Sequence, residues 1–188
     1  MFKTLSILAG LVGVATILSA QAIDPDTFKL NYFSHANVSA PDGTVRITNA
    51  GTSGGDVCAD IYVFDPNQEL SECCSCLITP DGLLTLSVDN DLTANPLTGV
   101  FLGTGMIKIV SAAPTGGACP IPTAPKPAAG VRAWGTHIQA GDVTTETPFT
   151  DSGLSAAELT RLGRECSAIQ LVGSGKGICS CPMSEESW

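Results

Sequence analysis

Positive charge is scarce in this chain. Lys and Arg total 9 against 18 Asp and Glu, a net charge of −9 over 188 residues. That balance excludes polyanionic partners, both nucleic acid and anionic lipid surfaces. Aromatic residues make up only 5%, and the two tryptophans, Trp134 and Trp188, are too few to form a carbohydrate-stacking platform by themselves. The two histidines, His35 and His137, stand far apart and belong to no HExxH pair. Gly51-Thr52-Ser53-Gly54-Gly55 spells G-x-S-x-G, but it reads as a flexible loop between two strands and not as the strand–turn–helix of a nucleophile elbow. Gly103-Thr104-Gly105 and Gly173-Ser174-Gly175 lack the strand–loop–helix context and the Lys-Ser/Thr of a phosphate loop. Asp89-Asn90-Asp91, with Asp24 and Asp26, lacks the spacing of a calcium loop and reads as turn chemistry. With no nucleophile, base and acid set to assemble, an enzyme is not expected, nor is a cofactor. Past the N-terminus no stretch is both long and apolar enough to span a bilayer.

The N-terminus itself is apolar. Met1-Phe2-Lys3 is a short positive region, Leu5 to Leu18 an apolar run too short for a transmembrane helix, and Ser19-Ala20-Gln21-Ala22 a small-residue cleavage site. Residues 1–22 thus read as a signal peptide cleaved before Ile23. The remaining 166 residues suit one domain. Loss of Lys3 leaves 8 basic residues against 18 acidic ones, a net charge of −10. The expected location is outside the cytoplasm: periplasm, cell surface or medium, with no membrane insertion after cleavage.

All eight cysteines lie in the mature part: Cys58, Cys73, Cys74, Cys76, Cys119, Cys166, Cys179 and Cys181. An even number behind an export signal reads as up to four disulfides. A thiolate metal site is the rival reading, but C-C-x-C and C-x-C depart from the C-x₂-C knuckles of zinc ribbons. A redox-active C-x-C would want an activating cation, and only Lys176 is close in sequence.

Alternation points to short strands. Thr27 to Phe33 alternates as a half-buried strand would, with Phe28, Leu30 and Tyr32 on its apolar face. Val45 and Ile47 mark a second strand. Val57, Ala59, Ile61 and Val63 share one face of a third, with Cys58, Asp60, Tyr62 and Phe64 on the other. Asp65-Pro66-Asn67-Gln68 turns the chain into a returning strand, Glu69 to Leu77. In a plain tight hairpin with Phe64 opposite Leu70, Cys58 faces Cys76 with Cys74 one diagonal away. The expectation is therefore a hairpin disulfide from Cys58 to Cys76 or Cys74. Cys73 points to the other face, so Cys73 and Cys74 take different partners.

Leu84, Leu86 and Val88 alternate inward, and Asp89 to Gly99 is a polar loop. Strands at Met106 to Ser111, Val131 to Gln139 and Val143 to Phe149 follow. Between the first two lies the loop 113–130, whose five prolines keep it out of sheet interiors. Cys119 inside it suggests a loop pinned to the body. Ser155-Ala156-Ala157-Glu158 is a capping box, and Leu159, Leu162, Cys166 and Ile169 then recur at helical spacing. Cys166 would point into the body toward Cys73 or a tail cysteine. The reading is a mainly β protein: an antiparallel β-sandwich with one C-terminal amphipathic helix, stabilised by disulfides. An outer-membrane barrel ending in Trp188 is the runner-up, but the loop, the helix and the non-alternating end fit it poorly.

CADIYVFDPNQELSECCSC, TPDGLLTLSVDNDLTANPLTG and ELTRLGRECSAIQLVGSGKGICSC together resemble a family of uncharacterised secreted bacterial proteins, over most of the mature chain and most specifically at the Cys-Cys-x-Cys block. The resemblance implies bacterial export and transfers no catalytic residue. The expected function is a secreted or cell-surface structural or interaction protein whose partners are other proteins or itself. One form would be self-assembly, with the strand behind Ile23 completing a neighbour's sheet. The alternative is an extracellular module binding a metal ion or small ligand through the cysteine clusters.

Overall fold

A strand buried on both faces needs a layer on each side of it. In the computed structural model, which describes residues 25–34, 41–139 and 141–182, the strand Val57–Phe64 (β3) is buried along its whole length. Val57, Ala59, Ile61 and Val63 face a second sheet; Tyr62 and Phe64 face a helix. The expected signal peptide at residues 1–22 with its cleavage point, Asp24, His35, Trp188 and part of the turn from Asn37 to Gly43 lie outside the described residues.

The other strands are β1 (Phe28–Ser34), β2 (Thr44–Asn49), β4 (Leu70–Ile78), β5 (Leu83–Ser87), β6 (Thr104–Ala112), β7 (Val131–Ile138), β8 (Thr144–Pro148) and β9 (Thr150–Asp151). They form two open antiparallel sheets, β4-β3-β6-β1-β9 and β5-β2-β7-β8, rather than one closed barrel. The helix α1 (Ala156–Val172) lies on the outer face of the five-stranded sheet. This is the mainly β sandwich with one C-terminal helix expected from the sequence. One core fills the space between the sheets, around Phe33, Ile47, Ile61, Leu86 and Ile109. A second lies under α1, around Phe28, Tyr62, Val110, Leu162 and Ile169.

The helix forms where the capping box predicts. Ser155 Oγ accepts from the Glu158 amide at 3.1 Å, and Leu162, Cys166 and Ile169 are buried. Gly163 is buried with them because α1 meets the loop 113–130 closely there. A Cβ at that position would stand 2.6 Å from the Thr123 carbonyl oxygen. The Glu158 carboxylate turns to Arg161 and Lys108.

Two expectations need correction. The first is the face of β1. Phe33, not Tyr32, enters the inter-sheet core; Tyr32 is 50% exposed. Phe28 and Leu30 pack under α1, and Lys29 is buried in an ion pair with Asp151 of β9. Alternation cannot name the inner face of a strand whose sheet is covered on both sides. β1 also pairs within its own sheet, with β6 along all seven residues and with β9 at Lys29 and Leu30.

The second correction is the β3–β4 register. Phe64 does face Leu70, but the register slips at once, so that Val63 pairs with Glu72 and Cys58 with Leu77. A one-residue slip moves every following side chain to the other face. Cys74 and Cys76 now sit opposite Ile61 and Ala59, on the inner face, while Cys58 points outward. The expected hairpin disulfide is therefore absent, and Cys58 is bonded to Cys119.

Candidate functional site

β4 carries the cysteine block, and its pleat sorts the sulfurs. Glu72, Cys74 and Cys76 share the inner face; Cys73 and Ser75 share the outer one. Outward-facing Cys73 is bonded to Cys166 on the buried stripe of α1. Cys74 and Cys76 are bonded to Cys179 and Cys181. Behind α1 the chain returns parallel to β4, with the Cys73 amide donating to the Gly177 carbonyl at 2.8 Å and the Cys179 amide to the Cys73 carbonyl at 3.3 Å. This tail covers the edge that β4 would otherwise expose. The sulfurs of Cys74, Cys76 and Cys181 lie within 4.8 Å of one another. All three belong to disulfides, which offer a metal no thiolate while they stand.

Glu72 sits beside this ladder and is fully buried. Its Oε1 accepts from the Asn95 amide at 3.0 Å, and its Oε2 has no hydrogen-bond partner among the described residues. Burial pushes the carboxyl from its ordinary 4.5 up to about 7, against the opposing pull of the Asn95 amide.

The proline-rich loop forms a different site on the outer face of β3. Cys119 anchors it to Cys58, the Tyr62 hydroxyl donates to the Pro122 carbonyl at 3.1 Å, and the Ala113 and Ala128 amides bond to Lys126 and Ser111 carbonyls. Between loop and sheet lies a cavity of about 250 Å³, lined by Asp60, Ala112, Ile121, Pro122, Pro125 and Lys126 among others. Asp60 stands in the middle of β3 and is only 3% exposed. Its Oδ1 accepts from the Ser75 hydroxyl on the neighbouring strand. Burial lifts this carboxyl from 3.8 to about 7, with the Ser75 bond pulling the other way. Burial, with the nearby Asp60 charge, also pushes the Tyr62 phenol up.

The other residues marked in the sequence do not converge. His137 is buried in β7, its Nε2 is 2.7 Å from Thr147 Oγ1, and its ring stacks on Tyr32 at 3.9 Å. Burial lowers its pKa by disfavouring the charged ring. Asp91 does form turn chemistry, accepting from the Ser87 amide at 2.7 Å. Asp26 pairs with Arg132. Trp134 lies on the open face of the four-stranded sheet, 37% exposed. The cysteines are the residues that the sequence marked and the fold brings together. Asp60 and Glu72 went unmarked, although each is an acidic residue inside an otherwise buried strand. No family model matches the chain, and neither does any curated protein or solved structure.

Proposed function

We propose that this chain is an exported interaction protein without catalytic activity, working in an oxidising compartment outside the cytoplasm. The observation that carries the reading is the engagement of all eight cysteines. Four bridges fasten the proline-rich loop, the helix and the tail to one sheet. Cytosolic thiol pools would keep such sulfurs reduced, whereas an export signal delivers them to an environment where they persist. A framework of this kind serves a protein that presents a fixed surface under harsh conditions. Its partners are other proteins or further copies of the same chain. Donation of β1 to a neighbour is not the favoured route, because it would strip Phe28, Lys29 and Phe33 from buried positions.

A membrane-impermeant amine-reactive cross-linker applied to intact producing cells tests the reading. The expected result is a cross-linked species of higher mass that contains this chain. A chain protected from the reagent, with its thiols free, overturns it.

A further inference from the structure

Buried carboxylates are normally matched by a cation or kept away from ligand-sized space. Asp60 has neither safeguard. None of the ion pairs among the described residues involves it. Its Ser75 partner is neutral, and it contributes to the lining of the cavity between loop and sheet.

We propose that this cavity binds small primary amines with a short aliphatic body, and that the Asp60 carboxylate is their counter-ion. Four features support amines over other ligands. An ammonium supplies the charge partner that a desolvated carboxylate lacks. Pro120, Pro122 and Pro125 in the wall have no N–H groups, so these three positions offer an anion no amide donor. Ala112 and Ile121 give an apolar surface for the alkyl part. The chain's net charge of −9 draws cations toward it.

The volume sets the size. About 250 Å³ equals on the order of eight waters, below the range of drug-sized sites. A chain of a few methylenes fits, and a polyaromatic ligand does not. Lys126, at the rim, is the one built-in competitor among the lining residues. It makes no ion pair with Asp60. Removing its charge should therefore help an incoming amine.

Calorimetric titration of the oxidised, full-length mature protein with n-butylamine tests the site, with n-butanol and butyrate as matched probes. The expected result is one amine bound per chain, no heat from butanol or butyrate at the same concentrations, at least tenfold weaker binding in Asp60→Asn, and tighter binding in Lys126→Gln. Ala113→Trp, placed at an exposed position on the cavity wall, should block binding with Asp60 intact. It keeps the test alive should Asp60→Asn fail to fold. Equal binding of butanol would reduce the site to an apolar slot and overturn the counter-ion role. Stronger binding of butyrate would reverse the ligand charge. No amine binding by folded wild type would end the proposal and leave the export reading untouched.

Discussion

Within the strands, the carboxyls of Asp60 and Glu72 are buried with no cation paired to them among the described residues. Both are raised to about 7, from 3.8 and 4.5. The folded state therefore holds protons that the unfolded chain has released, and stability falls as pH rises from about 4 through 7. Each pKa unit corresponds to about 1.4 kcal/mol, so each group accounts for up to a few kcal/mol. Other groups act in the opposite direction. Glu158, held down to about 2 by Arg161 first and by Lys108, adds stability above the ordinary carboxylate range that is lost toward pH 2. His137, whose charged form burial disfavours, costs stability as pH falls below its ordinary 6.5. The clean observable is thus a difference. Asp60→Asn should raise the melting temperature relative to wild type more at pH 8 than at pH 5, and Glu72→Gln should do the same. Equal shifts at both pH values, measured by thermal melts, would show that these groups are not buried acids.

At the scale of elements, α1 is held by a narrow stripe and one bridge. Leu162 is fully buried beneath it with Cys166 and Ile169. Leu162→Asp would bury an unpaired carboxylate at a cost of several kcal/mol, comparable with a domain's whole stability. The expected outcome is loss of the cooperative melt. Arg161→Ala should cost about 1 kcal/mol or less, because its pairs with Glu158 and Glu165 are partly exposed. Similar melts for Leu162→Asp and wild type would mean that the helix does not rest on the sheet. This helix was legible in the sequence because capping and period agree. The two faces of β3 were legible too. The inner face of β1 was not, since both sides of its sheet are covered. The Cys58 partner was hidden by one slip between Val63 and Phe64 that no residue in the turn announces. The divergence of Cys73 and Cys74 survived that slip, because adjacent strand residues point apart in any register. Asp60 stayed invisible as a site because a lone carboxylate gains meaning only from the loop that folds over it.

The whole molecule is stapled unevenly. The four bridges close spans of 61, 93, 105 and 105 residues. Each starts from β3 or β4 and ends in the loop, the helix or the tail, so none reaches β5, β2, β7 or β8. A thiol titration of the denatured, unreduced protein should find no more than two reactive groups; six or more would contradict the disulfide framework. The asymmetry makes a sharper demand on dynamics. No bridge holds the four-stranded sheet, which rests on the inter-sheet core, its own ladders and non-covalent links such as the Asp26–Arg132 pair and the Tyr32–His137 stack, and its edge strand β8 is exposed at every residue. Local opening draws on the elements with the least burial. In the oxidised protein, hydrogen exchange should therefore be fastest in β8 and slowest in β3, which is buried throughout. Mild reduction should then release the tail and α1, whose attachment depends on the bridges, before β3 and β6 lose protection. If the tail stays protected after all four bridges are reduced, its parallel pairing with β4 suffices without them, and the staples serve only to constrain the unfolded chain.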